Sequence, residues 1–305
     1  MKQLKELIIP IIKLTIVGAC LYYVYINKGF TLTSIIPYIK SNFSVIVLSL
    51  VLLSFASFLT ILRIYILLNH YYNFSITFKK SSKLILEVLF INNILPFRAG
   101  EGLLIYRLKR HFKEKSVFLI SKILLMDNVF GVFGLFAVSV CFYPLVENYL
   151  LHDSKLKLIS FMMTVFCFLF LIGIIVLKKS NKLQNYIKGF SYFKDFIENL
   201  NKRGAIVIIS ISFLVQLVRT LSLSLIFFQF DIKQLLNSFF FIPIGNTILN
   251  FIYPSGIGVG NVVFFSLLKD FSDLNPLIYF NIYFLLTLFT SFILYLVSLR
   301  LRPKD

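Results

Sequence analysis

Charge is what this chain has least of. Asp, Glu, Lys and Arg supply 14% of its 305 residues, hydrophobic residues 58%, and the mean hydropathy is +0.87. A soluble domain carries roughly a quarter of its residues as charges, and no stretch here is long and polar enough to form a separate soluble domain. Other absences narrow the chemistry. Three cysteines (Cys20, Cys141, Cys167) lie in apolar runs without C-x-x-C spacing, which excludes a disulfide framework and a zinc site and leaves them as small buried apolar residues. Three histidines (His70, His111, His152) stand far apart at the edges of those runs, so no metal site is expected. No grouping of Ser, Cys or His suggests a nucleophile with its base, and no acidic cluster suggests a metal-dependent transferase. No catalytic residue and no cofactor are expected. Tryptophan is missing altogether, and the 36 phenylalanines read as packing and lipid-facing residues.

Acid is the scarcer sign, with 13 Asp and Glu against 31 Lys and Arg, a formal charge of +18. Nucleic acid is not the implied partner. The basic residues cluster in short loops between apolar runs, as the positive-inside rule predicts for a membrane protein, and membrane lipids are the partner that this distribution implies.

What the chain does have is apolar runs of spanning length, about 20 residues. They fall at about 7–26, 43–68, 117–143, 158–177, 205–230 and 277–299. The first resembles a lipoprotein leader at Val17-Gly18-Ala19-Cys20, but the run continues through Leu21-Tyr22-Tyr23-Val24-Tyr25, which makes it a span. Two further apolar segments are interrupted. The first breaks at Asn92-Asn93-Ile94-Leu95-Pro96-Phe97-Arg98-Ala99-Gly100-Glu101-Gly102, with about 12 apolar residues before it, too few to cross. Proline removes a backbone donor and glycine relaxes φ, so a helix is expected to end near Leu95 and restart near Ala99. The backbone groups freed there are tolerated only where protein or cavity water satisfies them. The second interrupted segment, 235–268, breaks at Tyr253-Pro254-Ser255-Gly256-Ile257-Gly258-Val259-Gly260-Asn261. Its Gly-x-Gly-x-Gly is no nucleotide fingerprint, because no strand pattern precedes it and the spacing is wrong.

Charge bias selects the topology. If both interrupted segments return to the side they entered from, and both termini are cytoplasmic, the outer loops hold only Lys28, Lys40, Lys155, Lys157, Lys233 and Lys269 of the 31 Lys and Arg. The two interrupted segments also match each other. Asn92, Pro96, Gly100 and Gly102 correspond to Asn250, Pro254, Gly258 and Gly260 at one constant offset, and Arg63 corresponds to Arg219 at a slightly shorter one. In this topology one unit enters its hairpin from the cytoplasm and the other from outside. Paired broken helices in inverted units are the architecture of many alternating-access transporters; the alternative is that the glycines merely permit close helix packing. The sequence therefore predicts an all-α polytopic membrane protein of about six full spans plus two re-entrant broken-helix hairpins arranged as an inverted repeat. It forms a single integral membrane domain over 1–305, with unit one at about 43–143, a linker span and basic loop at about 144–203, and unit two at about 204–300.

Polar groups at membrane depth are costly and mark pathways. The candidate substrate-binding residues are Asn92, Asn93, Arg98, Gly100, Glu101, Arg63, Arg219, Asn250, Ser255, Gly256, Gly258 and Asn261, and the candidates for charge pairing or proton handling are Glu87, Glu101 and Asp127. Lys13 and Lys122 add cations within spans. A guanidinium matches phosphate or carboxylate with a planar fork, and helix N-termini after the breaks add N–H donors, so anion recognition is the expected chemistry. The competing reading is a structural network of these charges, with Arg63 and Arg219 snorkelling to an interface.

Asn93-x-x-Pro96-x-Arg98-x-Gly100-Glu101, a basic loop and then a span with Asp127, and later Pro254-x-Gly256-x-Gly258-Val259, resembles the flippase-like membrane domain of the lysylphosphatidylglycerol synthase and flippase family, over roughly residues 55–299. That family includes the membrane half of the bacterial multiple-peptide-resistance factor and stand-alone relatives. Leu104 stands where the family commonly has a basic residue, with Arg107 one turn further on, and Gly260-Asn261 stands where it commonly has Arg-Glu. The resemblance implies a multi-pass protein of the bacterial inner membrane, without the soluble aminoacyl-transfer domain and hence a flippase or transporter, not an enzyme. It would move an anionic phospholipid or polyprenyl-linked saccharide between leaflets, alone, as a homo-oligomer or beside a lipid- or glycan-synthesis enzyme. A secondary transporter of a small organic anion and a non-transporting membrane scaffold are the alternatives.

Overall fold

Unbroken runs of Leu, Ile, Val and Phe satisfy their backbone polar groups in lipid only by coiling into helices. The computed structural model describes residues 32–94, 99–150, 202–229 and 276–300, with isolated positions within 165–172 and 231–243. Seven helices follow in chain order: α1 (Leu32–Ser41), α2 (Phe43–Ile66), α3 (Phe78–Ile94), α4 (Ala99–His111), α5 (Val117–Leu150), α6 (Lys202–Phe228) and α7 (Pro276–Arg300). Among the described residues there is no strand, and four stretches are long and apolar enough to cross a membrane: Phe43–Tyr71, Val117–Pro144, Ile206–Phe228 and Asn281–Arg300. The class is the all-α polytopic membrane protein that the sequence predicts. The spans expected at 7–26 and 158–177 and the second interrupted segment lie outside the described residues, apart from the isolated positions.

Helix boundaries depart from the sequence reading at three places. The helix before the first break is longer than its 12 or so apolar residues: α3 already starts at Phe78, ahead of Lys79, Lys80 and Lys83. The connection is short because Asn69 brackets it: Nδ2 donates to the Ile76 carbonyl at 2.7 Å while Oδ1 accepts the Ile76 N–H at 2.8 Å. The basic run after Glu101 is helical as far as His111, where Lys109, Arg110 and His111 face the negative end of the α4 dipole and Glu101 occupies its first turn. Ser116 then caps α5 by accepting the Leu119 N–H. Finally, α5 continues through Pro144 to Leu150, beyond the end of the apolar run at 143, so Glu147 lies on a helix.

The break after Asn92 is a hairpin. At 17 and 13 residues, α3 and α4 are each shorter than a full span. They lie antiparallel: the Gly100 N–H donates to Asn92 Oδ1 at 2.8 Å near the tip, and Arg107 Nη2 donates to Glu87 Oε1 at 2.6 Å further down. Gly100 is required by this approach, since a Cβ there would sit 2.4 Å from the Val88 carbonyl oxygen. Ile85, Val88, Leu104 and Leu108 seal the hairpin onto Ile123, Met126 and Phe130 of α5.

Lipid tails are as apolar as leucine, so close packing of small residues and interhelical hydrogen bonds hold the spans together. A Cβ on Gly134 of α5 would sit 2.5 Å from the Ser212 carbonyl oxygen of α6. Where α2 crosses α6, Ser49 Oγ donates to the Ser222 carbonyl at 3.3 Å and Ser222 Oγ to the Ser49 carbonyl at 3.2 Å. Further along α2, Arg63 meets Ser212, earlier in α6, so the two helices run antiparallel. On the other side α7 packs on α3, with Tyr295 stacked on Phe90 at 5.2 Å. The short α1 is pinned by the Tyr38 hydroxyl, which donates to the Ile226 carbonyl of α6, and by an edge-to-face contact with Tyr279 at 5.2 Å.

Candidate functional site

Helices α2, α3, α4, α5, α6 and α7 surround a cavity of about 320 Å³ whose wall is half polar in character despite the apolar bundle around it. α2 contributes Thr60 and Arg63, the hairpin Asn92, Asn93 and Glu101, α5 Asp127 and Asn128, α6 Gln216 and Arg219, and α7 Tyr283, Thr287, Thr290 and Ser291.

Arg63 is the most enclosed of the charges. Its Nε donates to Asp127 Oδ1 at 2.6 Å and its Nη1 to Ser212 Oγ at 3.2 Å, and the two paired side chains are only 6% and 12% exposed. Gly131, one turn after Asp127, lies beside the guanidinium, where a Cβ would stand in ordinary contact, 3.9 Å from its terminal nitrogens. Arg63 therefore points into the bundle and does not snorkel. Arg219 Nη2 donates to Thr60 Oγ1 at 3.4 Å and lies within electrostatic reach of Tyr283. Glu101 accepts from Asn128 Nδ2 at 3.4 Å, Asn93 Nδ2 donates to Ser291 Oγ at 3.1 Å, and Gln216 Nε2 donates to the Gly131 carbonyl at 3.3 Å. The cavity thus offers two guanidiniums, two carboxylates and several amides and hydroxyls, a set that can hold an anionic group and donate to its oxygens.

Six residues singled out in the sequence meet at this wall: Arg63, Asn92, Asn93, Glu101, Asp127 and Arg219. The family model that matches this wall's helices is described as "Lysylphosphatidylglycerol synthase TM region" and covers residues 11–300. The chain belongs to that family. The resemblance carried by the first broken segment thus extends over nearly the whole chain, and membership in the lysylphosphatidylglycerol synthase transmembrane family points to a role in membrane-lipid handling. No curated protein and no solved structure matches the chain.

Gly100 lies at the hairpin contact and not on the cavity wall. Glu87 also stands off the wall, paired with the half-exposed Arg107. Arg98, Asn250, Ser255, Gly256, Gly258 and Asn261 lie outside the described residues. Sequence reasoning missed Thr60, Asn128, Gln216, Tyr283, Thr287 and Thr290. Their signal is polar residues recurring three or four apart within apolar spans, as in Thr60 with Arg63, Gln216 with Arg219, and Tyr283 with Thr287 and Thr290.

Proposed function

We propose that this protein moves an anionic phospholipid or lipid-linked saccharide between membrane leaflets without altering it chemically. The observation that carries this reading is the polar cavity, where two arginines and two acids face one space inside a bundle of apolar spans. Charges so placed are expensive and are retained where they serve a pathway. The antiparallel course of α2 and α6, which bear the corresponding arginines Arg63 and Arg219, supports an inverted relation between the two units, the arrangement that lets one fold open to either side. Family membership supports a lipid as cargo. In this reading the head group enters the cavity near Glu101 and Asn93, Arg98 serves its phosphate, and its acyl or prenyl tails stay in the bilayer. Both termini are on the cytoplasmic side of a bacterial inner membrane.

Reconstitution into liposomes bearing head-group- or chain-labelled phospholipids and polyprenyl-linked sugars tests it. Leaflet exchange by the wild type is expected for at least one anionic lipid, falling at least tenfold in Arg98→Ala and in Glu101→Gln. Exchange of none of the panel, or exchange that both variants leave at the wild-type rate, refutes the reading. Uptake of a soluble organic anion under an ion gradient, with no lipid exchange, replaces it with the secondary-transporter alternative.

A further inference from the structure

The charges at the cavity come from α2, the hairpin, α5 and α6. Helix α7 brings Tyr283, Thr287, Thr290 and Ser291, four hydroxyls and no charge. Steps of three and four positions along the chain put them on one helical face, so the cavity has one wall that is polar without being ionic.

What such a wall can recognise depends on where its protons go, because a hydroxyl has one proton to give and lone pairs to receive with. Thr287 gives its proton to the Tyr283 carbonyl and Ser291 to the Leu288 carbonyl, each at 2.9 Å, while Asn93 Nδ2 of α3 donates to Ser291 at 3.1 Å. Thr287 therefore meets the cavity as an acceptor. Thr290 is the exception: it lines the cavity, is 5% exposed and has no hydrogen-bond partner among the described residues. A buried hydroxyl left so is uncommon and costly. Few ligand groups suit the two threonines together. A phosphate oxygen only accepts, so it satisfies Thr290 and not Thr287; an ammonium only donates, so it satisfies Thr287 and leaves the Thr290 proton without a partner. A ligand hydroxyl does both. Residues three apart on a helix have Cβ atoms roughly 5–6 Å from each other, a gap that neighbouring hydroxyls of a polyol bridge with one oxygen at each threonine.

We propose that Thr290, with Thr287, forms a subsite for the hydroxyl groups of a polyol head group, a glycerol or a sugar. The subsite selects among phosphate esters of equal charge, whichever of the charged walls faces the phosphate. It rests on the transport reading only for a lipid as the carrier of the polyol.

Purified full-length protein in neutral detergent is titrated with two matched pairs: dihexanoyl-phosphatidylglycerol against dihexanoyl-phosphatidylethanol, and glycerol phosphate against ethyl phosphate. Within a pair the charge is the same and only the hydroxyls differ. In at least one pair the wild type is expected to bind the glycerol member about fivefold or more tightly than its partner. In Thr290→Val that ratio should fall to about one while the thermal midpoint stays level or rises, because an unpaired buried hydroxyl is gone. Thr290→Ser, which keeps the hydroxyl, should keep the ratio, and Thr287→Val should lower it about twofold or more. A merely structural threonine would move the midpoint and not the ratio. The pair bound more tightly identifies a lipid or a soluble phosphate as the source. No preference for glycerol in either pair, a ratio unchanged in folded Thr290→Val or Thr287→Val, or no binding of any of the four ligands overturns the subsite. A preference for glycerol without leaflet exchange of labelled lipid refutes transport and leaves the subsite standing; exchange without the preference does the reverse.

Discussion

Asp127 shows how much a single residue carries inside this bundle. Its carboxylate is the charge that makes a nearly sealed Arg63 tolerable, and breaking such a pair from one side leaves an uncompensated buried cation at a cost of about 3–5 kcal/mol. Asp127→Ala should therefore lower the thermal midpoint in detergent sharply, and Arg63→Met combined with Asp127→Leu should restore most of it, since an apolar replacement of both partners is often neutral or better. A midpoint unchanged in the single variant would show that the pair carries no such weight. Both residues were legible in the sequence because a formal charge within an apolar run is conspicuous. Thr60, Gln216 and Thr290 were not, because hydroxyls and amides are ordinary glue between membrane helices and only the facing wall reveals which of them meet.

Between residues and the whole, the α3–α4 hairpin is the element that delivers the amides and Glu101 to the cavity. Its glycines look alike in the sequence, two positions apart and both matched in the second interrupted segment, yet their surroundings differ. A Cβ at Gly100 would press on the Val88 backbone at 2.4 Å, whereas one at Gly102 would meet nothing within 4 Å. Gly100→Ala should destabilise by about 1–3 kcal/mol, as overpacking does. Gly102→Ala, on an exposed helical face, should stabilise by about 0.5–1 kcal/mol through the lost flexibility of the unfolded chain. Thermal midpoints of the two variants measured side by side decide the matter, and equal shifts would contradict the close approach of the two helices. The break and the helix ends beside it, at Ile94 and Ala99, were readable from Pro96 and Gly100; the start of α3 at Phe78 was not, because Asn69 sets it through contacts with Ile76, across the connection.

For the whole molecule, the antiparallel crossing of α2 and α6 brings Arg63 and Arg219 to one space. Cysteines at Ser49 and Ser222, in a chain whose Cys20, Cys141 and Cys167 are replaced by serine, should crosslink on mild oxidation, because these side chains already reach each other's backbone at 3.2–3.3 Å. After proteolysis between the two positions, the two fragments should stay joined on a non-reducing gel. Cysteines at Ser49 and Ser212 should not link, since Ser212 is held by Arg63, four turns along α2. The opposite pattern would mean a parallel crossing.

Hydropathy, the position of basic loops and the two Pro/Gly breaks are properties of neighbouring residues, and they were enough to settle a helical membrane protein, an interrupted first segment and the charges worth following. Which of those charges meet is a matter of helices far apart in the chain. Only packing decided that Arg63 closes on Asp127, that Glu87 turns away to Arg107, and that Arg219 shares its cavity with the hydroxyls of α7. The physical reason is that a helix displays its polar residues on a face whose direction depends on its neighbours, and in lipid those neighbours are chosen by the fit of small residues such as Gly134 against Ser212.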